Sequence, residues 1–575
     1  MEQLSGLDAS FLFFESQRTP MHIGGIAIYD PSTAPGGKVR FKEIIRFIEE
    51  RMHRAKSFRQ RVVNVPFNLD FPYWIEDPDF DIEFHIRHVA LPQPGDWRQL
   101  CIQAARIHAR PLDLTKPLWE FTVVEGLDNV AGVPKGSYAI ITKVHHAAID
   151  GVSGVDMTTA THSFDVVDEV ETPKHKWVPE RVPTAGELLA RAYGNAVMQP
   201  LKIARLAAQS VPTLAKVATS IGRGELKMPT PPNAVPRTRF NRVVSPHRVV
   251  DSVRFDLAEI SDMRKRQYGA TVNDIVLTIV GGALRNYLVA KNELPSEPLV
   301  AMAPVSVRSE GERGAMGNQV TAMSVSLGTH VSDPVGRLQF VQQSALDSKA
   351  LTKAVGARQL ADYTKFLSPV MTGLASRLYM RMGLANRFYP VFNTVVTNVP
   401  GPQVPLYSNG ARLVTQHGLG PVFDGLGLFH PVFSYCGHVN ISINACRDMM
   451  PDPEFYAECM RESFAQLKAG LGKRPLPAVD KAAAEKPQKS KTKKAASRSS
   501  AKKAPAAKKT AVKKAAVKKA ATKRKTPKAK PADAAQAVPV GKAANDDQAD
   551  AGPQANGQAV TGVAEAAKAS AKDTN

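Results

Sequence analysis

The chain is poor in cysteine: its 575 residues include only Cys101, Cys436, Cys446 and Cys459. They form no Cys-x-x-Cys pair and have no histidine at zinc-ligand spacing, which excludes a disulfide scaffold and a structural zinc module. A reducing cytoplasm is the expected setting. Long apolar runs are also missing. The nearest approach, Ile275 to Leu284 between Asp274 and Arg285, falls short of the roughly 18 residues that span a bilayer. Glu2 and Asp8 stand where a secretory signal needs basic residues and then an apolar stretch. Any membrane contact is therefore expected to be peripheral.

Basic charge is scarce in the body and concentrated near the end. The formal net charge is +22, yet residues 473–530 hold 22 Lys and Arg against Asp480 and Glu485. Residues 531–575 carry three Lys against six acidic side chains, which leaves residues 1–472 at +5. A near-neutral body lacks the clustered basic face that phosphate binding needs, so a nucleic-acid reading is confined to the tail. With its Lys-Lys-Ala repeats and almost no large apolar side chains, segment 473–575 cannot offset its chain entropy and is expected to be disordered. Such a tail suits DNA, anionic lipid or another polyanion, and its composition does not choose among them.

The remaining length allows two or three cores at about 100–200 residues per domain. Residues 1–180 alternate strand patterns (Ile23–Tyr29, Phe121–Glu125, Tyr138–Val144) with helical ones (Phe41–Ala55, Trp97–Ala109). Residues 181–245 read as two helices, Ala185–Met198 and Leu201–Ile221, followed by a linker broken by Pro229, Pro231, Pro232 and Pro236. A second mixed unit spans 246–472, with strands at Val249–Phe255, Leu299–Val307, Gln319–Leu327, Phe392–Asn398 and Val439–Ala445. Helices Leu257–Tyr268 and Asn273–Asn292 lie between them. The expected fold class is mixed α/β: two lobes joined by a helical crossover.

The chemistry concentrates at the end of one strand. The apolar run from Tyr138 ends at Val144 and delivers His145 and His146 to its tip, with Asp150 four residues after His146 and a permissive Gly151 beyond. Neutral imidazole suits removal of a proton from a hydroxyl, and His146 is the candidate base. Asp150 either orients the imidazole or pairs with an arginine to fix the loop; the second role is favoured, with Arg308 as the candidate cation. No third ligand accompanies the two histidines, so no metal is expected. By itself a His-His pair at a strand end is more often a plain polar pair.

The complete string His145-His146-Ala147-Ala148-Ile149-Asp150-Gly151 changes that weighting. It resembles the signature of the superfamily that holds chloramphenicol acetyltransferase, peptide-synthetase condensation domains and the wax ester synthase/diacylglycerol acyltransferases. Further blocks are similar to the last branch: Leu7-Asp8-Ala9-Ser10-Phe11, Met21-His22-Ile23-Gly24-Gly25 and Pro111 to Glu120. So are Thr271-Val272-Asn273-Asp274, Pro304 to Arg308, Gly317-Asn318-Gln319 and Asn398-Val399-Pro400-Gly401-Pro402. The likeness covers roughly residues 1–470. It implies two chloramphenicol-acetyltransferase-like lobes with the histidine loop in a tunnel between them. It also implies acyl-CoA as co-substrate, no other cofactor, and diacylglycerol or a long-chain alcohol as acceptor. By the same likeness Asn273 supports the histidine loop and Pro400-Gly401-Pro402 shapes the tunnel mouth. Read locally, Asn273-Asp274 is a helix N-cap and the proline-glycine run a turn.

No Gly-x-Ser-x-Gly elbow is present and no cysteine sits in a nucleophile setting, so direct transfer through a ternary complex is expected rather than an acyl-enzyme. Two competing readings remain. One is a non-catalytic lipid-granule or nucleoid-tethering protein; the other keeps the fold but takes an amine or polyketide hydroxyl as acceptor. Helices 185–221 mix Arg191, Lys202, Arg205 and Lys216 with apolar faces. They suit either docking on a membrane or lipid-droplet surface or packing on the body.

Overall fold

In the computed structural model the described residues are 1–149, 157, 160–167, 177–224, 226, 235–306, 320–355 and 369–473. Asp150, Gly151, Arg308, the Gly317 to Gln319 block, most of the proline-rich linker and the tail lie outside them. The main strands are β1 (His22–Asp30), β2 (Ile86–Ala90), β3 (Trp119–Glu125), β4 (Tyr138–His145), β5 (Arg248–Asp256) and β6 (Val300–Ser306). They continue with β7 (Val320–Ser326), β8 (Thr394–Pro400), β9 (Tyr407–Ser408), β10 (Ala411–Leu419), β11 (Leu428–Tyr435) and β12 (His438–Cys446). The helices used below are α1 (Gly6–Phe14), α2 (Trp97–His108), α3 (Ala185–Gly222), α4 (Val272–Ala290), α5 (Pro369–Arg381) and α6 (Pro453–Gly472).

Two six-stranded mixed sheets carry the fold, ordered β9-β10-β1-β4-β3-β2 and β7-β6-β8-β11-β12-β5. In the first sheet the inward positions of β1, β3 and β4 alternate between two cores. Ala27, Tyr29, Phe121 and Ile140 fill one, and Ile26, Ile28, Val124 and Ile141 the other. That is the period-2 pattern of a sheet buried on both faces. In the second sheet Val253, Ile441, Ile443 and Val432 pack against α4, whose Ile275, Ile279 and Leu284 are fully buried.

Three expectations are corrected. The crossover is one helix, α3, rather than two. Pro200 and Pro212 each remove one backbone donor, but the helix starts from a capping box in which Thr184 and Glu187 satisfy each other's amides, and it runs through both prolines. The cap of α4 is Thr271, not Asn273-Asp274; Asp274 is the third residue of a capping box. Finally, the 246–472 segment is not a self-contained lobe. Its strands β9 and β10 join the amino-terminal sheet, with β10 antiparallel to β1.

The two sheets meet along a polar seam beside β10. From alternate positions of β12, Asn440 donates to the Gln416 carbonyl (2.7 Å), Ser442 accepts the Gly418 amide (3.0 Å) and Asn444 donates to the Gly418 carbonyl (3.3 Å). His417 bonds Ser252 (2.8 Å), and Trp97 of α2 donates to Asp251 of β5 (2.8 Å).

Close backbone approach explains the Gly24-Gly25 pair of β1. A Cβ on Gly24 would stand 1.8 Å from the Thr142 carbonyl oxygen of β4, and one on Gly25 2.9 Å from that of His417 in β10. Gly24→Ala must spread β1 from β4. It is expected to destabilise the fold by about 1–3 kcal/mol, read as a lower midpoint in thermal or urea unfolding; an unchanged midpoint would count against this packing.

Candidate active site

Strand β4 ends at His145, and a single 3₁₀ turn, His146–Ala148, follows. Pairing on both flanks fixes this tip. His145 faces His22 across β1, its amide donates to the Leu118 carbonyl (2.9 Å), and the His146 amide donates to the Met21 carbonyl (2.8 Å). The Met21 to Gly25 and Pro117 to Glu120 blocks thus clamp the histidines from opposite sides. Trp119 is core, donating its indole N–H to the Phe58 carbonyl (2.9 Å). Glu120 meets the buried Lys143 at 3.2 Å.

The two histidines differ in what holds them. His145 is fully buried; its Nδ1 accepts the Ala147 amide (3.0 Å) and its Nε2 lies 3.2 Å from Glu15 Oε2. His146 stacks on Phe11 of α1, with ring centroids 3.9 Å apart and planes 14° from parallel. Its Nδ1 is buried and meets no partner on another described residue. Burial lowers the His146 imidazole to about 4, its own backbone carbonyl pulling upward and neighbouring His145 pushing further down. The ring is therefore neutral at physiological pH. The Leu7 to Phe11 block finds its place here: Asp8 bonds Ser5 (2.5 Å) at the helix start, and Phe11 forms one wall of the site.

Of the remaining expected residues, Asn273 and Asp274 are described and the others lie outside the described chain. Asp274 is buried, its carboxylate accepting the Thr271 amide and hydroxyl, both at 2.8 Å, so what it holds is the end of α4. Asn273 accepts from Asn398 (3.5 Å), which brings the Thr271 to Asp274 and Asn398 to Pro402 blocks together. Gly401 donates its amide to the Ser434 carbonyl (3.0 Å), where a Cβ would stand at 2.3 Å. Asp150, Gly151 and Arg308, with the ion pair expected between Asp150 and Arg308, lie outside the described residues. Among the described residues no group of three or more His, Cys, Asp or Glu side chains is arranged to hold a metal ion. Glu15 is the site residue that sequence reasoning missed.

Two mixed sheets with a histidine on the turn after a central strand form the two-lobed, chloramphenicol-acetyltransferase-like fold, and the family and relatives that follow make the chain an O-acyltransferase. Residues 4–276 match the wax ester synthase/diacylglycerol acyltransferase catalytic domain, and residues 316–468 match the C-terminal domain of the same family. The chain belongs to the wax ester synthase/diacylglycerol acyltransferase family. It is 32% identical over 470 residues to a putative diacylglycerol O-acyltransferase of Mycobacterium tuberculosis, covering 81% of this chain and 90% of that one. It is 32% identical over 489 residues to O-acyltransferase WSD of Acinetobacter baylyi, covering 82% and 98%. The wax ester synthase/diacylglycerol acyltransferase structure from Marinobacter aquaeolei VT8 superposes with a TM-score of 0.56 at 26% identity, covering 82% of this chain and all of that one.

Proposed function

We propose that the chain is an acyl-CoA-dependent O-acyltransferase in which His146 is the general base, transferring a long-chain acyl group to diacylglycerol, a long-chain alcohol or both. The observation that carries this reading is the neutral, half-buried His146 ring on the strand-end turn, braced by Phe11. Of its two nitrogens only Nδ1 can reach the residue's own carbonyl, which leaves Nε2 for the acceptor hydroxyl. As the hydroxyl oxygen attacks the thioester carbonyl carbon, its proton passes to Nε2. The tetrahedral intermediate then collapses with loss of the C–S bond, and the CoA sulfur takes the proton back. Ester and free CoA leave, and the base is restored.

The acceptor is tested by thiol release from palmitoyl-CoA with hexadecanol or with diacylglycerol, and by mass analysis of the lipid formed. Hexadecyl palmitate or triacylglycerol is the expected product. Failure to form either ester from active, folded protein would sink the reading.

A peripheral lipid surface as partner is supported by α5 and the chain after it. Among the described residues no helix is long and apolar enough to cross a membrane. Yet Met371, Leu374, Leu378, Met382, Phe388 and Tyr389 are exposed. Arg377, Arg381 and Arg387 lie among them, and no acidic residue occurs from 369 to 391. Ser376 on the buried side donates to the Phe13 carbonyl (2.8 Å), so α5 rests on the helix that supplies Phe11. An apolar stripe edged with arginine suits an anionic bilayer. The protein is expected to sediment with phosphatidylglycerol vesicles more than with phosphatidylcholine vesicles, and Leu374→Gln/Leu378→Gln to lose that binding. Equal sedimentation of variant and parent would remove α5 from the contact.

A further inference from the structure

Glu15, the residue that follows α1, is buried beneath the histidine turn, where an acidic side chain needs a specific partner. Its Oε2 lies 3.2 Å from His145 Nε2. Both atoms are buried, and neither has a hydrogen-bond partner among the described residues, so the contact between them is a close charge-to-ring approach rather than an aligned hydrogen bond. The other carboxyl oxygen, Oε1, accepts the Met21 amide at 3.4 Å. The Met21 carbonyl in turn accepts the His146 amide at 2.8 Å. On the far side of the ring, His145 Nδ1 accepts the Ala147 amide at 3.0 Å. A ring nitrogen that accepts carries no proton, which places the ring proton of His145 on Nε2, facing Glu15. Contacts from one carboxyl group therefore reach the residues on both sides of His146.

We propose that Glu15 is a positioning residue for acyl transfer. Its carboxylate fixes His145 as the Nε2-protonated tautomer, and the ring so fixed sets the backbone from which His146 projects. This rests on the reading of His146 as the base. The opposite tautomer would turn an Nδ1–H against the Ala147 N–H, donor against donor, and would open the turn. Phe11 settles the plane of the His146 ring; Glu15 and His145 settle where that ring starts. The two supports lie four residues apart, in the carboxyl-terminal half of α1 and at its exit, so a shift of this helix moves both.

Glu15→Gln keeps the shape but can present an amide N–H to the His145 N–H. It is expected to lower kcat about 10²-fold, the scale of a small misplacement of a reacting group, with KM for palmitoyl-CoA little changed. Glu15→Asp, which keeps the charge, is expected to recover part of that loss. In a His145→Asn background the Glu15→Gln change is expected to cost no more than about twofold, because the two residues act as one unit. Thermal unfolding of each variant identifies any that fail to fold; if Glu15→Gln is among them, Glu15→Asp and its combination with His145→Asn carry the test. Glu15→Gln turnover near the parent's, a Glu15→Asp variant no better than Glu15→Gln, or a full second loss in the His145→Asn background would overturn the proposal. His146→Ala is measured beside them. If that variant is active, the base assignment falls; if it is inactive while Glu15→Gln is unimpaired, only the role of Glu15 falls.

Discussion

His146→Ala is expected to reduce kcat roughly 10²–10⁴-fold, the range that a positioned proton acceptor contributes, while the unfolding midpoint stays close to the parent's. The ring contributes little to the fold beyond its stack on Phe11, since its Nδ1 bonds no other described residue and the turn is held by the backbone of Met21. Its chemistry is thus separable from its packing. Because burial holds the imidazole down to about 4, the base is already deprotonated at pH 6. kcat should therefore show no limb near the ordinary imidazole value of about 6.5 and stay level down to the pH at which the protein unfolds. Steady-state CoA release, with unfolding followed in parallel, tests both statements. Parent-like turnover by His146→Ala would remove the base, and an acid limb centred near the ordinary imidazole value would contradict the burial.

Acid is expected to unfold the protein well before His146 itself is protonated. His108, His417 and His430 are buried, and desolvation lowers each to about 3. His22 is also buried and lowered, first by desolvation and then by His108 and Lys143. In the unfolded chain these imidazoles titrate near 6.5. Between pH 6.5 and 3 the unfolded state binds more protons than the folded one, so stability rises with pH across that window and is lost as pH falls through it. At pH 5 each of the three costs about 2 kcal/mol, or about 6 kcal/mol together, comparable with the whole stability of many domains. Unfolding midpoints in urea at pH 7, 6 and 5 should fall steeply. The groups sit in both halves and at the seam: His108 bonds the Gly420 carbonyl, His417 bonds Ser252, and His430 bonds Thr394 and Tyr456. His430→Gln, which can bond the same hydroxyls without titrating, should recover about 2 kcal/mol of the loss between pH 7 and 5. A pH-independent midpoint would show that these rings are not held neutral.

Local order was the legible part of the sequence. The strand ends at 248–256, 300–306 and 320–326 fall within a residue or two of the alternating β-branched runs that announce them, because burial on a pleated sheet imposes that alternation. His145 and His146 were readable for the same reason: the apolar run of β4 stops and two titratable side chains follow. Pro200 misled, since a proline speaks for its own amide and not for the rest of a capped helix. The place of β10 was hidden because the residues of 411–419 suit either sheet, and its choice is made by β1, far away in the chain. Glu15 was hidden likewise. Nothing in its own neighbourhood distinguishes it from a surface glutamate, and its partner lies on a different strand.

The entry of β10 into the amino-terminal sheet bears on how the gene could be cut. A fragment ending near residue 245 would keep β1, β4, β3 and β2 but would leave β1 an open edge, nine residues long, with Ile26 and Ile28 next to bare amides and carbonyls. Long apolar edges of that kind pair with one another between molecules. The complementary fragment would carry β10 with its seam contacts but no sheet to complete. Each half is thus expected to aggregate when made alone. A pair co-expressed from separate reading frames should assemble, and homologous exchange at residue 245 should succeed only where β9 and β10 travel with the front half.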